Sequence, residues 1–294
     1  MCKNEYLPEM SAPLFPQGQP MEVLQEALTE ERILTGIAVR CDERRDLIVR
    51  LGGYEGRIPR EEAVHPSITG AQREISILSR VGLPVSFVIC SISMDSTGKL
   101  RLLLSRKRAQ EKAIAYFLEN AHPGQILPAQ VTHLSSFGTF VDLGCGVLSM
   151  LPLEDTSTSR IYHGGDRFRV GQRILTVLRS ADPEKKRFYL SHKELLGTWE
   201  QNAADFSPGE VVPGIIRGIR EYGVFVELAP NLSGLSDPVA DELAIGDRVS
   251  VYIKSIKPDK RKIKLQIIDR LEPLREPEPL RYFITEGTVE NWEY

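Results

Sequence analysis

The sequence predicts a mainly β chain built as three tandem small barrels joined by short α-helical linkers. Three observations carry that prediction: an internal repeat, short alternating strands inside each copy, and a switch to helical periodicity between copies. Residues 123–152 align without gaps onto 208–237 at an offset of 85, with seven of thirty positions identical. Among the identities are Pro123/Pro208, Gly138/Gly223, Phe140/Phe225, Val141/Val226 and Leu143/Leu228. The repeat resumes at Val170-Gly171 and Ile245-Gly246, after a connection ten residues shorter in the second copy. Length change in one connection, with the rest in step, is how a loop between fixed strands behaves. A weaker copy lies upstream, where Gly56-Arg57-Ile58-Pro59 falls on Ser149-Met150-Leu151-Pro152. It lacks the aromatics, with Arg44 and Leu47 in the places of Phe137 and Phe140.

The elements follow in order. Residues 1–20 hold four prolines and no apolar signal core, and are expected to be a disordered tail ahead of a short helix at 21–31. A divergent barrel over 30–107 comes next, then a helical linker over 108–122 within a helix spanning 106–121. The second barrel occupies 123–195, with strands read at 126–131, 139–143, 173–178 and 187–190. A second helix is read at 192–206, giving a linker over 196–207, and the third barrel spans 208–270. Residues 271–280 hold three Pro and three Glu, so 271–294 reads as an acidic linker and a C-terminal aromatic segment. Tyr282-Phe283-Ile284 and Trp292-x-Tyr294 are expected to form a hairpin docked on the third barrel, and Trp199 and Trp292 to be packing anchors.

Composition narrows the function classes. Lys and Arg total 37 against 40 Asp and Glu, which excludes a histone-like polycation. Acidity concentrates at the ends, since 271–294 has two bases and six acids while 30–107 has thirteen bases and ten acids. No apolar run is long enough to span a bilayer, so no membrane contact and a cytoplasmic location are expected. Four scattered cysteines, Cys2, Cys41, Cys90 and Cys145, form no CxxC pair, and neither a zinc site nor a disulfide framework is expected. No catalytic motif is present, the acids Glu154 and Asp155 read as solvated surface, and no cofactor is expected.

The run Pro-Gly, then Phe/Tyr-Gly-x-Phe-Val-Asp/Glu-Leu, then Val-Gly-Gln or Ile-Gly-Asp, resembles the S-1 RNA-binding domain of the bacterial small-subunit ribosomal protein S-1 family. The resemblance is strong over 123–191 and 208–266, weaker over 30–105, and implies five-stranded OB-fold barrels. It also implies that RNA lies across the strand 2–3 face, against an aromatic pair, a histidine and basic residues. The family's histidine is replaced by Pro152 in the second barrel and Asp237 in the third.

The residues support that face on their own account. Alternation puts Val141 and Leu143 inside the barrel and Phe140 and Asp142 outside, and Phe225 and Glu227 repeat the arrangement. Phe137 and Tyr222 would face inward on an unbroken strand, closing the barrel end. A bulge at Gly138 or Gly223 would instead bring them beside Phe140 and Phe225. Paired exposed rings stack on successive bases with little sequence preference. His133 on the first strand is a further ring, although an exposed strand histidine needs no function. For phosphates the second barrel offers Lys186 and Arg187, and the third offers Arg217, Arg220, Lys254, Lys257 and Lys262. The expected function is binding of single-stranded RNA, specifically mRNA, in translation, as a monomer, with residues 30–105 contacting the small ribosomal subunit. The alternative is a protein-interaction scaffold on a ribosomal or transcription partner, with incidental RNA contact.

Overall fold

Alternating strands close three times into five-stranded barrels of one topology. In the first barrel the order around the wall is β1 (Leu34–Cys41), β2 (Leu47–Leu51), β3 (Tyr54–Ile58), β5 (Leu100–Ser105) and β4 (Pro84–Met94). The second comprises β6 (Ile126–Leu134), β7 (Gly138–Asp142), β8 (Leu148–Pro152), β9 (Arg173–Asp182) and β10 (Arg187–Ser191). The third comprises β11 (Val211–Arg220), β12 (Gly223–Ala229), β13 (Leu232–Ser236), β14 (Arg248–Lys257) and β15 (Lys262–Arg270). Each closes through a short parallel pairing of its third and fifth strands: Arg57 with Leu103, Met150 with Tyr189, Leu235 with Lys264. That closure leaves no free sheet edge, and the chain is therefore mainly β with tandem OB-fold barrels.

This architecture comes from a computed structural model that describes residues 6–65, 70–98, 100–238, 243–274, 276, 278–290 and 292. Residues 1–121 with 142–149 form one compact unit, and residues 122–141 with 150–294 form another. Inward positions fill each barrel: Leu47, Val49, Ile58, Phe87 and Leu104 in the first, and Val131, Val141, Leu151, Leu178 and Leu190 in the second. Ile216, Val226, Val251, Ile263 and Leu265 fill the third, and Trp199 packs into that same cluster.

The helices depart from the sequence expectation in two places. Helix α1 (Met21–Thr29) and helix α3 (Arg106–Asn120) stand where periodicity puts them. Helix α2 (Gly70–Leu78), between β3 and β4, is not among the helices the sequence predicts. The helix expected over 192–206 is broken into a 3-10 turn at Lys193–Leu196 and helix α4 (Trp199–Ala203). Gly197, at φ +81°, makes the break, and a Cβ there would lie 2.6 Å from the Phe283 ring.

The tail is not disordered over its described residues. Tyr6 stacks on Tyr116 with centroids 4.4 Å apart. The Glu9 carboxylate is buried and takes two bonds from Arg106, at 2.6 and 2.8 Å, plus one from the Ser86 amide at 3.1 Å. A buried carboxylate is tolerable only with such partners, so the proline-rich stretch is held by one acid whose partners are remote in sequence.

The C-terminal segment is also placed differently from expectation. It runs along the second barrel and its linker, not the third barrel, and the described part forms no hairpin. The Phe283 amide donates to the Leu195 carbonyl at 2.8 Å, and the Val289 amide to the Gly124 carbonyl at 2.8 Å. The Tyr282 hydroxyl donates to His192 Nε2 at 3.1 Å while accepting from the Leu175 amide at 3.3 Å, and His192 Nδ1 bonds the Thr156 carbonyl at 2.8 Å. Backbone donors and acceptors at the start of β6 and a neutral imidazole thus supply the dock. Tyr294 lies outside the described residues.

Burial, opposed by the Thr156 hydrogen bond and reinforced by Arg167, lowers the His192 pKa from 6.5 to about 4. The unfolded chain takes up this proton near pH 6.5, but the folded chain refuses it until about pH 4. Stability is therefore lost as pH falls through that window, by about 3 kcal/mol in all, and is flat below it. Urea unfolding at pH 7.5 and 4.5 checks this: His192→Asn should lose markedly less stability between the two than the wild type. Equal losses would contradict it.

Candidate nucleic-acid interface

The strand 2–3 hairpins set the aromatic pairs. In the third barrel Arg220 pairs with Gly223, leaving Glu221 and Tyr222 as a two-residue turn. In the second the Ser135 amide donates to the Gly138 carbonyl at 3.0 Å, around Ser136 and Phe137. Phe137 and Tyr222 therefore project from turns, and in the third barrel Gly223 pairs regularly with Arg220 while the register shifts on β11 between Ile216 and Gly218. The glycines serve close approach. A Cβ on Gly223, at φ +154°, would meet the Ser236 carbonyl at 2.3 Å, and one on Gly138 would meet the Leu151 carbonyl at 2.7 Å.

From those turns the rings reach the same face as their strand partners. Phe137 and Phe140 stand with centroids 5.8 Å apart at 87°, and Tyr222 and Phe225 6.2 Å apart at 88°. His133 adds a third ring 5.9 Å from Phe140. Edge-to-face packing stabilises each pair, yet Phe137 remains 61% exposed, Tyr222 64% and Phe225 36%. Val141 and Val226 behind them are fully buried, so these outward rings are surplus to the cores.

Strand register extends the face beyond the pair. Gly218, Phe225, Leu235 and Lys264 lie side by side across β11, β12, β13 and β15. The repeat puts His133, Phe140, Met150 and Tyr189 in the same row of the second barrel, where Met150 does pair with Tyr189. Met150 is 39% exposed and Tyr189 47%. Neither was among the sequence candidates, though the signal existed: Phe188 and Leu190 face inward, so alternation turns Tyr189 out. In the first barrel the row is Arg40, Ile48, Arg57 and Leu103, without a ring.

The cations divide into available and committed ones. Lys186 and Arg187 are exposed at the β9–β10 turn, and Lys257 and Lys262 face each other across the β14–β15 turn, and none of the four forms an ion pair among the described residues. Arg220 is exposed, and its guanidinium bonds the Ile219 carbonyl at 3.1 Å. Lys254 lies 3.4 Å from Asp237, which Lys264 also contacts; the Lys264 hydrogen bond is the main reason the Asp237 carboxyl titrates below its usual range. That carboxylate stands where the family has a histidine, and it masks part of the basic run.

Arg217 is a correction. It is 5% exposed, with Nε 2.9 Å from Glu227, and is not available to a phosphate. Glu227 also takes Arg167 at 2.8 and 3.0 Å, so this outward acid is covered rather than solvated. Arg167 comes from the long β8–β9 connection, which packs on the third barrel. Asp142 is likewise buried, accepting from the amides of Glu9 at 2.8 Å, Gly144 at 2.8 Å and Gly146 at 3.0 Å. Burial, then the nearby Glu9 carboxylate, pushes its carboxyl up to about 7. Asp155, expected on the surface beside Glu154, is buried and bonds Arg179 and Lys193, both at 2.9 Å.

Among the described residues no cluster of His, Cys, Asp or Glu could hold a metal ion. Among the described residues no helix is long and apolar enough to cross a membrane.

Comparison with known proteins bears on this face. Residues 121–193 match the family described as S1 RNA binding domain. The chain is 28% identical over 239 residues to the small ribosomal subunit protein bS1 of Leuconostoc lactis, covering 76% of this chain and 53% of that protein. It is 31% identical over 198 residues to the bS1 of Chlamydia muridarum, covering 63% of this chain and 34% of that protein. The chain thus spans about half or a third of the length of these curated relatives. A solved structure from Streptococcus pneumoniae, a multidomain protein with nucleic acid binding domains, aligns over 84% of this chain and 76% of its own, at 18% identity and a TM-score of 0.26. The two curated relatives are both small ribosomal subunit proteins. Residues 121–193 carry the S1 match, the barrels on either side share its strand topology, and the chain is similar to ribosomal protein S-1 over about three quarters of its length.

Proposed function

We propose that the chain binds single-stranded RNA across its second and third barrels and handles mRNA in translation at the small ribosomal subunit, in the cytoplasm. The observation that carries this reading is the recurrence of one perpendicular ring pair, Phe137/Phe140 and Tyr222/Phe225, at the same place on two barrels. Bases stack on those rings, and His133 and Tyr189 widen the platform of the second barrel. Phosphates lie against Lys186 and Arg187 on one barrel and Arg220, Lys257 and Lys262 on the other, with Lys254 shared with Asp237. Each site alone is weak, and the tandem arrangement raises affinity through effective concentration. The ring-free row of the first barrel suits a docking role for residues 30–105 on the ribosome.

Salt dependence tests the reading. Each phosphate neutralised on a single strand changes log K by about −0.7 per decade of salt. Three to five contacts predict a slope between about −2 and −3.5 for an unstructured RNA of about 20 nucleotides, read by fluorescence anisotropy. A slope near zero, or no binding at low salt, would contradict it.

A further inference from the structure

Beside Phe137 lies a cavity of about 700 Å³, lined among others by Pro152, Thr158, Arg160, Ile161 and Trp292. That volume falls inside the roughly 300–1,000 Å³ typical of small-ligand sites. Two features of this chain build it. Thr158, Arg160 and Ile161 belong to the β8–β9 connection, which is ten residues longer in the second barrel than its counterpart in the third. Its position is fixed: the Thr158 amide donates to Asn231 Oδ1 at 3.0 Å and the Ser159 amide to the Pro230 carbonyl at 3.1 Å. Trp292 comes from the C-terminal segment, which is anchored through Tyr282, Phe283 and a bridge from Thr288 to Gln125.

We propose that this cavity is a nucleobase pocket, taking one unpaired base of an RNA strand whose neighbour stacks on the Phe137/Phe140 pair. The inference rests on the RNA-binding reading and adds base selection to it. One wall, Phe137, is itself an exposed ring of the second barrel's platform, so a strand leaving that platform meets the cavity at once. Phe137 and Trp292 offer two ring walls, Ile161 and Pro152 an apolar lining, and Thr158 a hydroxyl-bearing one. At the rim Arg160 is exposed and lies 5.2 Å over the Tyr162 ring, and it forms no ion pair among the described residues, which leaves its charge for a phosphate. Lys193 also lines the cavity, but its ammonium is held by Asp155 at 2.9 Å. Open platforms accept any base because every base has a π-face. A walled pocket meets the base edges as well, where unpaired RNA bases differ.

The test uses the full chain and fluorescein-labelled 20-nucleotide homopolymers of A, C and U, comparing wild type, Trp292→Ala, Arg160→Gln and Phe140→Ala. The wild type should prefer one homopolymer by about fivefold or more. Trp292→Ala should bring the three within about twofold of one another. Arg160→Gln, which removes a charge but no wall, should weaken all three and make the salt slope shallower by about 0.7. Phe140→Ala should weaken all three while keeping the preference. Equal wild-type affinities, or a preference that survives Trp292→Ala, would overturn the pocket and leave the RNA reading standing. Absence of binding by the wild type to any of the three would overturn both.

Discussion

Glu227→Ala is expected to destabilise the second unit by about 3–5 kcal/mol. Glu227 is one carboxylate between two buried guanidiniums, Arg167 at 2.8 Å and Arg217 at 2.9 Å, all three nearly closed to solvent. Burial alone would raise its pKa, but Arg167 and Arg217 outweigh burial and hold the carboxyl below its usual range. It is therefore an anion at neutral pH. Its removal strands two cations in a site where water cannot replace it. Asp166, 3.6 Å from Arg217, compensates only part of that charge. The cluster joins the β8–β9 connection to β11 and β12, so the same substitution should uncouple the two ring-bearing barrels. Denaturant unfolding checks the stability, and a loss below about 1 kcal/mol would contradict the account. Affinity for a 20-nucleotide RNA should fall with it, because two faces held together gain from effective concentration and two loose ones gain less.

What the sequence showed and what it hid follow from range. Strand alternation and Gly-Pro punctuation are local, and they place β6, β7, β11 and β12, the buried Val141 and Val226, and the outward Phe140 and Phe225. Alternation says which side of a sheet a residue leaves, not what waits there. Arg217, Glu227 and Asp142 all leave the outer side, and all are covered by chain from elsewhere. The prolines at 8, 13 and 16 read as a loose tail because the partners of Glu9 and Tyr6, namely Arg106 and Tyr116, lie about a hundred residues away. Helix α2 was invisible for another reason. Ile75-Ser76-Ile77-Leu78 alternates as a strand would, and only the fold shows Ile77 buried and Ile75 out. Tyr189 is legible from alternation on β10 alone, although it falls outside the aromatic motif of β7.

The outward rings remain the centre of the functional reading, and their removal should have the largest effect on binding. Alanine at a base-stacking ring costs about 1–3 kcal/mol. Phe140→Ala with Phe225→Ala removes one ring from each platform, a combined loss of about 2–6 kcal/mol, or at least about thirtyfold in Kd. Both side chains stand outside their barrels, with Val141 and Val226 closing the cores behind them. The double variant should therefore unfold at nearly the wild-type denaturant midpoint. The decisive measurement is the anisotropy of a labelled, unstructured 20-nucleotide RNA titrated with wild type and this double variant at two salt concentrations. A folded double variant that has lost at least thirtyfold in affinity at both salts is the predicted result. Wild-type binding that is indifferent to both substitutions would contradict it.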